Sequence, residues 1–248
     1  VNGQKTIAVI PARMGSMRFP GKVLVPLGGK PIVQWVYERA SASVCDRVLV
    51  ATDSEEVAEK VRGFGGEAVM TSPSHPSGSD RIWEAIGNIP GDIVINVQGD
   101  EPFIPSRVID DLARTMQSDA SLEMATVAVP CRREDIENNP NIVKIALDSK
   151  NFALYFSRSP IPFLRQGGEE AGTFRHWGIY AYRRDVLGRF VGLPEGRLEK
   201  CEKLEQLRAL ENGIRIKVIF SEIETIGIDT PEDLEMAERR LRELEGRQ

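Results

Sequence analysis

Residues 7–22 read Ile-Ala-Val-Ile-Pro-Ala-Arg-Met-Gly-Ser-Met-Arg-Phe-Pro-Gly-Lys. Ile7 to Ile10 form a short apolar run rich in β-branched residues, which predicts a buried strand. The character then changes. Pro11, Gly15, Pro20 and Gly21 exclude regular structure, and Arg13, Arg18 and Lys22 place three cations in the loop that follows. A strand that delivers a glycine-containing basic loop from its C-terminal end is how open α/β sheets hold phosphates. Glycine lets the main chain approach a polyanion closely. The spacing is not that of the common phosphate loops: Val23 follows Lys22, so G-x-x-x-x-G-K-[ST] is absent, and no G-x-G-x-x-G follows the strand.

Downstream, Gly28-Gly29 reads as a turn and Pro31 as a first helical residue. Ile32, Val33, Val36, Tyr37 and Ala40 recur at helical spacing and predict a helix over 31–43. Arg47 to Thr52 is a second strand. Asp53-Ser54-Glu55-Glu56 starts the next helix with a carboxylate cap, and Glu67 to Met70 is a third strand. This β-α-β-α-β order implies a parallel sheet with right-handed crossovers. Ser77-Gly78-Ser79-Asp80-Arg81 opens a helix through Ile89, its small residues suited to a pocket wall at a sheet edge.

Asp92 to Gln98 contains Ile93, Val94, Ile95 and Val97 and reads as a strand buried on both faces. It ends in Gln98-Gly99-Asp100-Glu101-Pro102, where ligand crevices form in such sheets. Neighbouring residues point in opposite directions. Asp100 is therefore read as a Mg²⁺ ligand and Glu101 as a supporting residue, since Mg²⁺ takes one or two carboxylates plus phosphate oxygens. A helix is expected from Pro105 or Ser106 to about Gln117, a strand from Met124 to Pro130, and a polar loop from Arg132 to Asn141. Asn141 to Asp148 and Phe152 to Arg158 alternate like an antiparallel pair turned at Asp148–Asn151. Gly167 to Thr173 is expected to be a mobile loop, Phe174 to Tyr182 a strand, and Leu198 to Asn212 one helix with Gly213 after it. Ile214 to Phe220 is a return strand. Thr230-Pro231-Glu232-Asp233 is a capping box opening a last helix to about Glu245. Asp229 stands just outside that box and is free for function.

The chain has 248 residues, with a formal net charge of −5. An acidic chain argues against nucleic-acid binding and requires that cations for an anionic ligand be concentrated locally. Cys45, Cys131 and Cys201 lie far apart, which disfavours a disulfide framework or a zinc site and fits a reducing cytoplasm. With only His75 and His176, a histidine-rich metal centre is excluded. No apolar run approaches the ~20 residues of a membrane span. Val1 to Lys5 leads straight into the first strand, so no signal peptide is expected.

The motif P-A-R-x-x-S-x-R-x-P-G-K at Pro11–Lys22 resembles the loop of the cytidylyltransferases of acidic sugars. The likeness continues through Ala51-Thr52-Asp53, Ser77 to Arg81, Asn96 to Pro102, Ala153 to Arg158, His176-x-Gly178-Ile179-Tyr180, Leu204 to Arg208 and Gly227 to Leu234. Ala153–Arg158 and Glu205-Gln206 are most similar to the members acting on 3-deoxy-manno-octulosonate (Kdo). The resemblance implies one Rossmann-like α/β nucleotidyltransferase domain over 1–248, with a mostly parallel sheet flanked by helices. Its nucleotide part would span about 1–130, an inserted antiparallel sugar-binding and dimerisation part about 131–212, and a return strand and helix 213–248. It implies a homodimer, CTP and Kdo as substrates, Mg²⁺ as cofactor, and a place in lipopolysaccharide precursor synthesis. Carried onto this chain, it puts Arg13 and Lys22 on the triphosphate, and Ala12, Ser77, Gly78, Arg81 and Gln98 around the nucleotide. Asp100 and Asp229 fall at the metal, and Arg158, His176, Tyr180, Glu205 and Gln206 at the sugar. Two alternatives stay open: activation of another acidic sugar such as sialic acid, and a nucleotide-binding regulator without turnover.

Overall fold

The computed structural model of the chain describes residues 3–15, 18–166, 168, 172–223 and 225–245. The chain divides into two compact units, one of Val1–Ala113 with Thr225–Gln248, the other of Arg114–Glu224.

The first unit opens with β1 (Thr6–Pro11) and a small hairpin, β2 (Pro26–Leu27) and β3 (Lys30–Pro31), turned at Gly28-Gly29 as expected. Then follow α1 (Ile32–Ser41), β4 (Arg47–Thr52), α2 (Glu55–Gly63), β5 (Ala68–Met70), α3 (Gly78–Ile86) and β6 (Ile93–Asn96). Parallel pairing gives the order β6-β1-β4-β5. β1 has neighbours on both sides: Val9 stands opposite Leu49 of β4 and Asn96 of β6. Ile7 to Ile10 are accordingly at most 1% exposed. The helices α1, α2 and α3 pack on these strands.

Three local expectations for this unit are corrected. Pro31 pairs in β3 and caps α1 in an extended conformation, so the helix begins at Ile32. The cap of α2 is Ser54, whose Oγ accepts from the Val57 N–H, and not the Asp53 carboxylate. α3 stops at Ile86, because Gly87 ends the helix by bonding back to the Glu84 carbonyl.

After α4 (Ser106–Ser118) the second unit is built on β7 (Met124–Cys131), followed by α5 (Arg133–Ile136), β8 (Lys144–Leu147), β9 (Ala153–Ser157) and β10 (Thr173–Arg183). It continues with α6 (Arg184–Val191), α7 (Arg197–Glu202), α8 (Gln206–Glu211) and β11 (Ile216–Phe220). β7 pairs with β11 in parallel and with β10 antiparallel; β10 pairs with β8 and β8 with β9, both antiparallel. β7 and β11 thus belong to the second unit. The β8–β9 turn is fixed by Asp148, whose carboxylate accepts the N–H groups of Lys150 and Phe152.

The polar stretch 132–141 contains the single turn α5, pinned by buried Ile136. Beyond the expected elements stands α6, with Val186, Leu187 and Phe190 as its buried stripe. The expected helix 198–212 is two helices, broken where Lys203 turns left-handed with φ 54°. The break is tertiary in origin: the Glu202 carboxylate reaches away to Ser157 Oγ and the Arg158 N–H. Most of the loop expected over 167–173 lies outside the described residues.

The chain returns to the first unit with α9 (Pro231–Glu245). Its capping box forms as expected, the Asp233 carboxylate accepting the N–H of Thr230 and Thr230 Oγ1 that of Asp233. Ala237 and Leu241 of α9 pack with Leu27, Ile32 and Ile228 in one buried cluster.

Candidate active site

A cavity of about 390 Å³ lies at the C-terminal end of the first unit's sheet. The loop after β1, the N-terminus of α3, the segment after β6 and the residue before α9 contribute to its lining. The β1 loop leaves the sheet in an ordered way. Ala12, fully buried, donates its N–H to the Ala51 carbonyl (2.8 Å) and extends the strand pairing by one residue. Ala12 thus supports the loop from beneath. Gly21, at φ +71°, accepts the left-handed turn that starts the single 3₁₀ turn Lys22–Leu24. That turn brings the Lys22 side chain into the cavity.

Four charged groups meet there. Lys22 Nζ donates to Asp100 Oδ2 and, at 2.7 Å, to Asp229 Oδ1. Arg18 Nη2 donates to Asp229 Oδ2 at 2.7 Å. The two carboxylates, distant in sequence, therefore share one ammonium. Hydrogen bonds of about 3 Å from one nitrogen hold their acceptors within about 6 Å of each other. The backbone brings the two segments side by side independently of the lysine. Ile228 N–H donates to the Asp100 carbonyl (2.9 Å), and Asp229 N–H donates to Asp233 (3.0 Å), leaving the Asp229 carboxylate outside the capping box. At Gly99 a side chain would not fit, since a Cβ would stand 2.8 Å from the Pro11 carbonyl oxygen. Glu101 is engaged elsewhere, accepting from Thr225 Oγ1 at 2.6 Å, which is the supporting role expected of it.

Burial acts to lower the Lys22 pKa, but the charges and hydrogen bonds of Asp100 and Asp229 outweigh it and raise it above the ordinary lysine value. Burial acts to raise the Asp229 carboxyl, and Lys22 and Arg18 outweigh it, leaving it below the usual carboxylate range. No cluster of three or more His, Cys, Asp or Glu suited to a metal occurs among the described residues. Two hard-oxygen carboxylates already arranged around a cation do fit Mg²⁺, which completes its shell with phosphate oxygens and water.

The remaining walls suit an anion. Arg13 is exposed, lines the cavity, and makes no hydrogen bond to another described residue. Ser77 caps α3 and hydrogen-bonds Asp80, so Gly78 begins the helix at the cavity, where the dipole favours negative charge. Gln98 donates to Asn96 Oδ1 at 3.0 Å and lines the cavity. Arg81 also reaches the lining, but it is only 3% exposed, and its guanidinium is held by Asp53 (2.8 Å) and Thr71 Oγ1 (2.6 Å). Sequence reading gave no role to two further lining residues. Arg18, a loop cation in the sequence, bonds Asp229. His75 was counted only against a metal centre, yet it pairs with Glu84, whose carboxylate also accepts the Ser72 N–H.

The five residues expected at the sugar all lie in the second unit. Three of them adjoin: the His176 ring lies tilted against that of Tyr180, 5.3 Å between centroids, and the Glu205 charge acts on the Tyr180 hydroxyl. Burial pushes His176 down to about 3, so its ring is neutral near pH 7. Thr126 Oγ1 donates to the Ile179 carbonyl (2.8 Å), so His176 Nε2 carries the proton and donates to Thr126 (3.0 Å). Burial raises Tyr180 well above the ordinary phenol value, with Tyr182 and Glu205 adding to it, which keeps the hydroxyl protonated. Gln206 is buried, and Glu205 lies 3.8 Å from Arg208. Arg158 donates to the carbonyls of Glu202 (2.8 Å), Pro140 (3.0 Å) and Lys203 (3.4 Å), bracing the turn between α7 and α8.

Known proteins resemble this chain over nearly its whole length. A family model described as cytidylyltransferase matches residues 7–217. A 3-deoxy-manno-octulosonate cytidylyltransferase of Thermodesulfovibrio yellowstonii is 51% identical over 95% of this chain and 98% of its own length. One from Syntrophobacter fumaroxidans is 50% identical over 93% of this chain and 94% of its own. The structure of a CMP:2-keto-3-deoxy-manno-octonic acid synthetase complexed with CTP superposes with a TM-score of 0.92 at 44% identity, covering 96% of this chain and 99% of that one. With a basic loop after β1 and paired carboxylates at one sheet edge, the chain belongs to the cytidylyltransferase family, and within it to the 3-deoxy-manno-octulosonate cytidylyltransferases.

Proposed function

We propose that the chain transfers CMP from CTP to the anomeric hydroxyl of 3-deoxy-manno-octulosonate, releasing pyrophosphate, in the cytoplasmic supply of lipopolysaccharide precursor. The observation that carries the reading is the cavity in which Arg13, Arg18 and Lys22 face Asp100 and Asp229 at the N-terminus of α3. An anion carrying a divalent cation complements that arrangement better than a neutral ligand does.

The reaction is an in-line attack of a sugar hydroxyl on the α-phosphorus, and it depends on positioning and charge stabilisation. Arg13 and Lys22 hold the triphosphate. Ser77 and Gly78 present the start of α3, Gln98 faces the nucleotide, and Arg81 and Ala12 keep those walls in place. Asp100 and Asp229 are the residues that would hold Mg²⁺. Bound with the nucleotide, it would neutralise charge on the departing pyrophosphate. In the second unit Arg158, His176, Tyr180, Glu205 and Gln206 serve the acidic sugar. His176, neutral and weakly basic, contributes a hydrogen bond and not a general base. The working form is a homodimer, read from the family likeness.

The test is pyrophosphate release from CTP with Mg²⁺, in parallel with Kdo, with sialic acid and without sugar, alongside sedimentation for the dimer. Release with Kdo alone is expected. Release with sialic acid alone moves the chain to another sugar, and no sugar-dependent release with either overturns the transferase reading.

A further inference from the structure

Lys22 occupies the space between the two carboxylates that would hold a metal ion. Its ammonium bonds both Asp100 and Asp229, with its side chain 11% exposed, and Arg18 takes the second oxygen of Asp229. Two positive and two negative groups balance. A divalent cation entering alone has to displace the ammonium or sit against it, and in either case the local charge becomes strongly positive. A triphosphate entering alone meets two carboxylates. When both enter, their opposite charges offset each other in part, and the phosphates give the displaced lysine new acceptors.

Resting on the reading above, we propose that Lys22 is a stand-in cation. It fills the space between Asp100 and Asp229 in the ligand-free protein, excludes a divalent ion by itself, and yields that space when a triphosphate offers it other oxygens. The fold permits the exchange. The Ile228 N–H to Asp100 carbonyl bond and the Asp229 N–H to Asp233 bond hold the two main-chain segments side by side without using either carboxylate, so both aspartates stay at the cavity when the ammonium leaves. Lysine is suited to the move, carrying a compact charge on a flexible four-carbon stem. Metal and triphosphate then favour each other's binding reciprocally, as linkage demands.

The test is direct binding of Mn²⁺ alone, followed by the loss of its free electron-paramagnetic signal, to wild-type protein, Lys22→Met and Lys22→Gln, each checked for folding by its melt. Wild type is expected to bind Mn²⁺ alone only weakly. Each variant is expected to bind it about tenfold or more tightly, and adding Asp229→Asn to either should remove the gain. Variants that bind Mn²⁺ no better than wild type overturn the proposal. So does wild type that binds Mn²⁺ alone in the low micromolar range, whatever the variants do. Mn²⁺ that binds no form of the protein, with or without CTP, overturns the metal site itself and with it the functional reading. Mn²⁺ that binds wild type with CTP, while Lys22→Met and Lys22→Gln match wild type without it, overturns the stand-in role alone.

Discussion

Arg81→Met removes a guanidinium that touches Asp53 at 2.8 Å and Thr71 Oγ1 at 2.6 Å while keeping most of the apolar stem. The Arg81 and Asp53 side chains are 4% and 16% exposed. Loss of one partner leaves the Asp53 carboxylate without a countercharge and with little water. Breaking a buried pair in this way costs about 3–5 kcal/mol, and the residual exposure of Asp53 places this case near 3. At about 2–4 °C per kcal/mol for a chain of this size, the melting temperature should fall by about 6–12 °C in scanning calorimetry. Asp53→Asn combined with Arg81→Met should recover more than half of that loss, because a neutral amide needs no countercharge. CTP affinity, measured below the melting range, should fall less than stability. If Arg81→Met melts within about 2 °C of wild type, less than the smallest shift expected, while CTP binding weakens more than about tenfold, the guanidinium serves the nucleotide and not the wall.

Four further outcomes follow from the geometry. Arg13→Ala should lower kcat/KM for CTP about ten- to a hundredfold, as expected for one charge-assisted contact, with an unchanged melt because Arg13 bonds no other described residue. Asp229→Asn should cut turnover by about two orders of magnitude or more with the fold intact in circular dichroism, since the change is nearly isosteric and only the charge is lost. His176 has a native pKa of about 3, below its unfolded value, so the folded protein binds fewer protons and stability falls as pH drops below about 6.5. From pH 7.5 to 5 the loss should reach about 1–2 kcal/mol in denaturant titrations, and His176→Gln should flatten that slope. Arg158→Ala should lower stability by about 1 kcal/mol, mainly through the part-buried bond to the Glu202 carbonyl, and raise KM for the sugar with little change for CTP; an unchanged melt would refute the bracing role.

Periodicity and punctuation in the sequence determined most of the first unit. Ile7–Ile10, Arg47–Thr52 and Ile93–Val97 are apolar runs that can only be buried strands, and the Pro and Gly breakers after Ile10 mark a loop whatever packs around it. The Thr230–Asp233 box was legible for the same reason: its hydrogen bonds join residues three apart. The pairing of Asp100 with Asp229 could be expected, but sequence does not measure the space between them. That Lys22 fills it, and that Arg18 joins, was decided by bonds between residues 78, 207 and 211 positions apart. Arg81 read as a pocket residue and is one, but only the fold brings Asp53 and Thr71 to its guanidinium. The helix expected over 198–212 failed because Glu202 is drawn to Ser157 and Arg158, 45 and 44 positions away, and local propensity carries no trace of that pull. Short-range hydrogen bonds and burial patterns are written along the chain. The partners of a charged side chain are chosen by which distant segments the fold sets beside it.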